Sequence, residues 1–167
     1  MRWFFLCAVV VVAGLAQNAE DRIAREVRHE LVMLPYYGVF DDLEFRVQGH
    51  TVTLLGKVTK PTLRTDAGNV VKKIEGVEKV DNQIQVLPLS PMDERLRIAE
   101  YRTIYGDPAL NRYALQAVAP IHIIVENGKV ILEGVVASQS DKEIAGVRAN
   151  TVAGVFSVRN NLRVEGK

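Results

Sequence analysis

The sequence is poor in cysteine and aromatic residues and has no excess of charge of one sign. Its 167 residues include one cysteine, Cys7, so no disulfide can form within the chain. Lysine and arginine number 21 against 20 aspartate and glutamate residues, which leaves a formal net charge of +1. Such a balance offers no basic surface to attract a polyanion. We therefore expect neither a disulfide scaffold nor a nucleic-acid partner.

Groups of residues that could form a catalytic or metal site are also missing. His29, His50 and His122 are far apart in the sequence, and none has a serine or carboxylate at the spacing of a catalytic triad. No second ligand accompanies any of them at a zinc spacing. The acids within residues 41–44 lack the alternating oxygen ligands of a calcium loop, so we interpret them as part of a connector. The sequence predicts a protein that is not an enzyme and holds no metal or cofactor.

The N-terminal segment is typical of a secretory signal. Arg2 precedes an apolar run over Trp3–Val12, and small residues follow up to Ala16. The run is too short for a membrane-spanning helix. The sequence therefore predicts a signal peptide over residues 1–16, with cleavage as late as residue 19, and an exported protein that is periplasmic or extracellular. The alternative is an uncleaved membrane anchor.

The most informative feature is an internal repeat with a period of 78 residues. Apolar residues and glycines of the first half meet the same residue types in the second half, whereas charged residues hardly match. An exact period indicates a duplicated packing unit rather than a duplicated active site. The matched residues that we interpret as structural include Gly56 with Gly134, Gly76 with Gly154, and Asn82 with Asn160. The predicted units span residues 20–88 and 92–167, with a linker at 89–91.

Each unit is predicted to fold as helix–strand–strand–helix–strand. In unit one, apolar residues recur at helical spacing over 23–34 and again over 63–74, and they alternate as in a strand over 43–47. Gly49-His50 suits a type II′ hairpin turn, and Asn127-Gly128 at the matching point of unit two suits a type I′ turn. The predicted fold class is therefore α+β, with helices covering one face of a small three-stranded mixed sheet in each unit.

Unit two is predicted to carry an extra helix before its sheet. Residues 93–105 form one helical run, Gly106 interrupts it, and Asp107-Pro108 begins a second helix that continues to about Val118. Tyrosines suit both membrane boundaries and protein interfaces, and arginines can contact lipid phosphates. The candidate binding residues in this region are Tyr101, Tyr105, Tyr113, Arg97, Arg102 and Arg112. The alternative is that the tyrosines seal the core or the seam between the units and that the arginines form a solvated face.

Two stretches of unit two resemble a known family. Residues 125–136, which include Gly128, and residues 154–162 resemble the pattern of the BON domain, named for bacterial osmotically inducible and nodulation proteins. Unit one resembles it more loosely through residues 52–58 and 76–84. The resemblance implies two tandem BON-like units. It also implies a secreted or periplasmic, non-enzymatic protein associated with phospholipid, envelope integrity and osmotic stress.

The expected function follows from that resemblance and from the candidate residues. We expect peripheral binding to an anionic phospholipid surface through the helices of unit two, in support of envelope integrity or a stress response. Cys7 lacks the preceding small residues of a lipoprotein signal, so no lipid anchor is expected. The alternatives are a protein-interaction or holdase-like module for envelope polypeptides and, more weakly, a structural subunit of an envelope assembly.

Overall fold

The computed structural model describes residues 8–166, with side chains from residue 19 onward. Residues 1–7, including Cys7, lie outside the described residues, and residues 8–16 of the predicted signal segment are described only as the start of a helix. The signal peptide therefore stays a prediction. No helix within residues 8–166 combines the length and apolar character that crossing a bilayer requires.

The described chain forms two units of one topology, each with its own sheet. Unit one consists of α1 (Ala8–Val32), β1 (Asp42–Gln48), β2 (Thr51–Val58), α2 (Pro61–Val71), β3 (Lys79–Asn82) and β4 (Gln85–Val86). Unit two consists of α3 (Pro91–Tyr105), a 3-10 helix (Asn111–Leu115), β5 (Ile121–Glu126), β6 (Lys129–Val136), α4 (Gln139–Asn150), β7 (Ser157–Asn160) and β8 (Arg163–Val164). β1 and β2 pair antiparallel, and β3 and β4 pair parallel to β2 as one interrupted third strand. Unit two repeats this pattern, which confirms the predicted α+β fold.

Each hairpin turn is stabilised by an acid from the helix that precedes it. Gly49 alone has positive φ in the first turn, 60°, whereas Asn127 and Gly128 have 53° and 73° in the second, as types II′ and I′ require. Glu20 accepts a hydrogen bond from the Gly49 amide at 2.6 Å. Asp93 accepts from the amides of both turn residues in unit two at 2.9 Å. The duplicated units thus share a contact between helix and turn as well as a topology.

Each core lies between the two helices and the inner face of its sheet. In unit one, Ile23 and Val27 of α1 pack with Leu54 of β2 and Leu63 of α2, all at most 1% exposed. Burying a side chain of this size stabilises the fold by about 1.5–3 kcal/mol. The outer face of the sheet carries exposed polar residues, namely Glu44, Arg46, Gln83 and Gln85.

The helix α3 takes the place of α1 in unit two. Its buried residues Leu96, Glu100 and Ile104 repeat the buried stripe of α1 at an offset of 73 residues rather than 78. The five additional residues lie in the connector 106–120. Ser90 accepts a hydrogen bond from the Asp93 amide at 3.2 Å, so α3 begins inside the predicted linker.

The second helix predicted for unit two, as far as about Val118, is wrong in type and length. Only the five-residue 3-10 helix Asn111–Leu115 forms there. Leu110 and Tyr113 are both buried, and their spacing of three residues equals one turn of a 3-10 helix. These two buried side chains therefore anchor the connector to the core, although the connector forms no continuous α-helix.

A repeated asparagine joins the third strand of each unit to the second helix. Asn160 donates from Nδ2 to the Lys142 carbonyl at 2.6 Å and accepts at Oδ1 from the Leu162 amide at 3.2 Å. Asn82 makes the same two bonds in unit one. The strand is interrupted at this residue, so the side chain replaces ladder hydrogen bonds that the interruption removes.

Repeated glycines permit close backbone approaches. Gly134 has φ of 118°, and a Cβ there would lie 2.1 Å from the Pro120 carbonyl oxygen; Gly56 in unit one has the same arrangement, with a φ of 111°. Gly76 and Gly154 lie in the turns after α2 and α4 with φ of 89° and 91°. The repeat preserves these glycines because a side chain would not fit the backbone geometry.

The approach of Asn160 to α4 can be tested at Gly146, where an added Cβ would lie 2.8 Å from Nδ2 of Asn160. We expect Gly146→Ala to lower the free energy of unfolding by about 1–3 kcal/mol, because the clash displaces the asparagine. In an Asn160→Ala background the same change should cost less, since its collision partner is gone. Urea unfolding of the four proteins measures this coupling. A Gly146→Ala protein more stable than wild type would contradict it, because alanine is otherwise the better helix former.

Candidate functional site between the two units

The two units meet along the outer edge of β5. The main-chain groups of Ile121, Ile123 and Val125 face away from β6 on this edge. The Ile123 amide donates to the carbonyl of Val39, in the connector between α1 and β1, at 2.7 Å. Residues Ile121–Val125 are all buried, which is unusual for a strand at the edge of a small sheet. The connector of unit one therefore covers the edge strand of unit two.

Two side chains of α3 complete the coverage of this edge. The Tyr105 hydroxyl donates to the Ile121 carbonyl at 2.6 Å and lies 3.3 Å from the amide of the same residue. Arg97 donates from Nη2 to the Val125 carbonyl at 2.8 Å. Both residues were candidates for lipid contact, yet they are 5% and 4% exposed. In this structure they satisfy main-chain groups of β5.

A stacked pair of rings lies across the seam. The rings of Tyr37 and His122 lie 5.4 Å apart, and the Tyr37 hydroxyl is 3.3 Å from Nε2 of His122. Nδ1 of His122 is 3.3 Å from the Gly38 carbonyl, which can only accept, so Nδ1 carries the proton and Nε2 accepts from the tyrosine. Burial lowers the pKa of His122, and the backbone acceptors of Gly38 and Asp41 together with the charge of Asp41 oppose the shift. The imidazole is therefore a neutral structural group at neutral pH.

An aromatic groove of about 310 Å³ opens beside this stack. Unit one contributes its connector and unit two contributes α3 and the segment before β5, so neither unit forms the groove alone. The Phe40 and Tyr101 rings meet edge to face at 6.3 Å, and Tyr101 and Tyr105 lie 4.9 Å apart. The lining residues are Tyr37, Gly38, Val39, Phe40, Tyr101, Tyr105, Ala114, Gln116, Ala117, Val118, Ala119 and His122.

An exposed and mainly apolar segment, residues 114–118, continues from the end of the 3-10 helix and forms one wall of the groove; we call it the exposed apolar loop. Leu115 is 89% exposed, and Ala114 and Ala117 are exposed beside it. Tyr101 on the adjoining face of α3 is 38% exposed. The helix predicted as far as about Val118 includes this loop, so the sequence did not predict an exposed surface here. The available signal was the absence of any charged residue between Arg112 and Glu126.

The remaining candidate residues are divided between core and surface. Tyr113 is buried, and its hydroxyl donates to Asp141 at 2.9 Å and accepts from the Ala137 amide at 2.8 Å. Arg112 forms an ion pair with Asp141 while its side chain stays 55% exposed. Arg102 is exposed. Only Tyr101, Arg102 and Arg112 of the six candidates thus remain available to a surface partner.

Ionisable groups lie at a second contact between the units. Lys57 of β2 forms an ion pair with Glu126 of β5. Burial raises the pKa of Asp42 to about 7; Glu44 and Glu133 of β6 add to the rise, and Arg163 opposes it. Leu55, Gly56 and Ile124 line the same gap between the two outer sheet faces. The units therefore dock through polar contacts as well as through the edge of β5.

The buried stripe of α3 contains a carboxylic acid. Glu100 is fully buried, and neither of its oxygens has a hydrogen-bond partner among the described residues. Burial raises its pKa from an ordinary 4.5 to about 8, so the side chain is protonated at neutral pH. The Nε atom of Arg97, one turn earlier, is also buried without a partner. Unit two therefore keeps a neutral acid where α1 has an apolar residue.

Comparison with known proteins identifies both units. The model of the BON domain family matches residues 19–88 and 109–166. Two solved structures of CdsD, a structural protein of the type III secretion system of Chlamydia trachomatis, resemble the chain. The C-terminal domain of CdsD is 14% identical over 84% of this chain and 96% of its own, with a TM-score of 0.28. The second structure is 13% identical over 84% and 91%, with a TM-score of 0.30. No curated protein sequence matches the chain.

Glu100 makes the stability of the protein depend on pH. The folded state binds its proton more tightly than the unfolded state, so this contribution is complete below a pH of about 4.5 and is lost as the pH rises through about 8. The loss is at most about 1.4 kcal/mol per pH unit. Thermal unfolding should therefore show a smaller decrease in Tm between about pH 5 and pH 8.5 for Glu100→Gln than for wild type, because glutamine does not titrate. Parallel pH profiles of the two proteins would contradict the assignment.

Proposed function

The chain belongs to the BON domain family, with two copies in tandem, and from this we propose that it binds phospholipid membrane surfaces peripherally through unit two. Membership of this family suggests an envelope-associated protein of the periplasm. In that compartment, surface binding would support envelope integrity or a stress response. Export through the predicted signal peptide is part of the proposal.

The exposed apolar loop carries this proposal. A leucine 89% exposed next to exposed alanines and a half-buried valine, Val118, places several apolar side chains together in water. Tyr101 beside the loop can place its ring among acyl chains and its hydroxyl among headgroups. This arrangement fits shallow insertion at a lipid boundary.

Charge at the rim of the loop favours anionic lipid. Arg102 is exposed near Tyr101, and Arg112 lies at the start of the 3-10 helix that leads into the loop. A cation close to an anionic bilayer contributes about 1 kcal/mol of binding. The Asp141 partner of Arg112 reduces its share. The charged contribution is therefore modest, and the apolar loop supplies most of the binding.

A second candidate function is the binding of unfolded polypeptides in the aromatic groove. The groove lies between two units and contains the exposed ring of Tyr101 and the half-buried ring of Phe40. Its volume of about 310 Å³ is enough for one or two large apolar side chains but not for a folded domain. This function would require polypeptide binding without lipid binding.

Vesicle co-sedimentation tests the lipid proposal. We expect wild-type protein to pellet with vesicles of phosphatidylglycerol and phosphatidylcholine more than with phosphatidylcholine alone. Leu115→Glu should reduce pelleting about tenfold, since it removes apolar contact and adds repulsion. Phe156→Glu is the matched control, because it adds the same charge at an apolar residue that is 79% exposed but lies before β7. Equal loss in both variants, or no pelleting of wild type, would refute the proposed site.

A further inference from the structure

We propose that the outer edge of β1 binds an extended polypeptide segment, which joins the sheet of unit one as an additional antiparallel strand. This goes beyond the proposed lipid binding, because it places a polypeptide site on the other unit and on main-chain groups rather than on an apolar loop.

The register of the hairpin decides which groups face outward. Gln48 and Thr51 flank a two-residue turn and therefore form a hydrogen-bonded pair, so even-numbered residues of β1 face β2. The amides and carbonyls of Phe45 and Val47 then face away from the sheet. No hydrogen bond joins these groups to another residue of the described chain. At the other end of the strand, the backbone of Leu43 lies close to Tyr37, so the open stretch is residues 44–48.

In unit two the corresponding edge, the outer edge of β5, is covered by other residues of the chain. Ile123 and Val125 of β5 stand 78 residues after Phe45 and Val47, and their outward groups bond to the Val39 carbonyl and to Arg97. A turn of the chain itself, closed by the hydrogen bond from the Asp41 amide to the Gly38 carbonyl, thus covers this edge of β5. The two units therefore share a fold, but this edge is covered in unit two and uncovered in unit one.

β1 has few of the features that usually protect an edge strand. Natural edges are kept short or carry proline or a bulge. β1 pairs over seven residues in unbroken register with β2, and it contains no proline. Its exposed charges, Glu44 and Arg46, have opposite signs, so a strand of uniform charge is attracted at one residue and repelled at the other, whereas a strand with complementary charges is attracted at both.

The side chains of β1 define the chemistry of the partner. Phe45 and Val47 point to the half-buried inner face, where the Arg28 guanidinium lies 6.0 Å from the Phe45 ring centre. The partner strand therefore alternates apolar and polar residues, with a cation opposite Glu44 and an acid opposite Arg46. Main-chain hydrogen bonds would supply the affinity and the alternate side chains the specificity.

A synthetic peptide supplies a probe with this pattern. The sequence of residues 41–49 of the chain, with fluorescein on its N-terminus and an amidated C-terminus, would pair antiparallel with β1 so that its own arginine lies opposite Glu44 and its glutamate opposite Arg46. We expect saturable binding to the full chain by fluorescence anisotropy. N-methylation of the peptide amide corresponding to Phe45 should abolish binding, whereas N-methylation at the position of Arg46, which faces away, should be tolerated.

Charge exchange tests the register. Glu44→Arg in the protein should weaken binding about three- to tenfold, because like charges then lie opposite each other. A peptide whose arginine is changed to glutamate should recover the affinity of that variant. Glu78→Arg, which makes the same change in charge at an exposed site before β3, is the matched control and should bind as wild type does. Leu115→Glu should also leave peptide binding unchanged, which separates this result from the lipid proposal.

Three results would overturn the proposal. The first is no saturable binding at about 1 mM peptide, a concentration at which only the weakest complexes stay undetected. The second is equal binding of both N-methylated peptides, because main-chain pairing at this edge would then be absent. The third is sedimentation of the chain alone as a dimer that Glu44→Arg dissociates, which would assign the edge to a second copy of the protein.

Discussion

The outer edge of β5 is the constraint on which the arrangement of the two units depends. A strand at the edge of a three-stranded sheet presents unpaired amides and carbonyls that must find partners once they are buried. Here the Val39 carbonyl, the Tyr105 hydroxyl and the Arg97 guanidinium supply them. Because Val39 belongs to unit one, satisfying this edge also fixes the position of one unit against the other. The aromatic groove is a consequence, since its walls are the connector around Val39 and the segment that leads into β5.

Duplication explains most of the fold and little of the site. The repeated parts meet requirements of any small sheet of this topology. They are a hairpin turn of suitable twist, an acid that accepts hydrogen bonds from the turn amides, and an asparagine at the interruption of the third strand. The groove depends on parts that do not repeat. These are the longer connector 106–120, the loop around Leu115 and the polar residues of α3. A repeat identifies the scaffold, and the deviations from it indicate where the two halves have acquired different roles.

The sequence predicted the scaffold well because apolar periodicity and turn residues are local. Alternation over 43–47 and the pair Asn127-Gly128 are each sufficient to place a strand and a turn. The roles of Tyr105 and Arg97 could not be found in this way. Each side chain combines an apolar part with a polar end, so the pattern of α3 alone does not show whether it is buried. Their burial depends on contact with β5, more than fifteen residues away in sequence. The type of the connector helix was missed for a similar reason, since burial of Leu110 and Tyr113 in the tertiary core overrides local helix propensity.

The polar residues inside α3 also bear on why the units remain docked. Glu100 occupies the place of an α1 valine, Val27, and unpartnered polar atoms in a core weaken it. Glu100 therefore makes the core of unit two less stable than an apolar residue at the same place would. Contact with unit one stabilises unit two, because it covers the outer edge of β5 and satisfies the Ile123 amide. If the units separated, unit two would lose this contribution and expose an apolar edge strand. The groove therefore depends on this contact, since residues of both units line it.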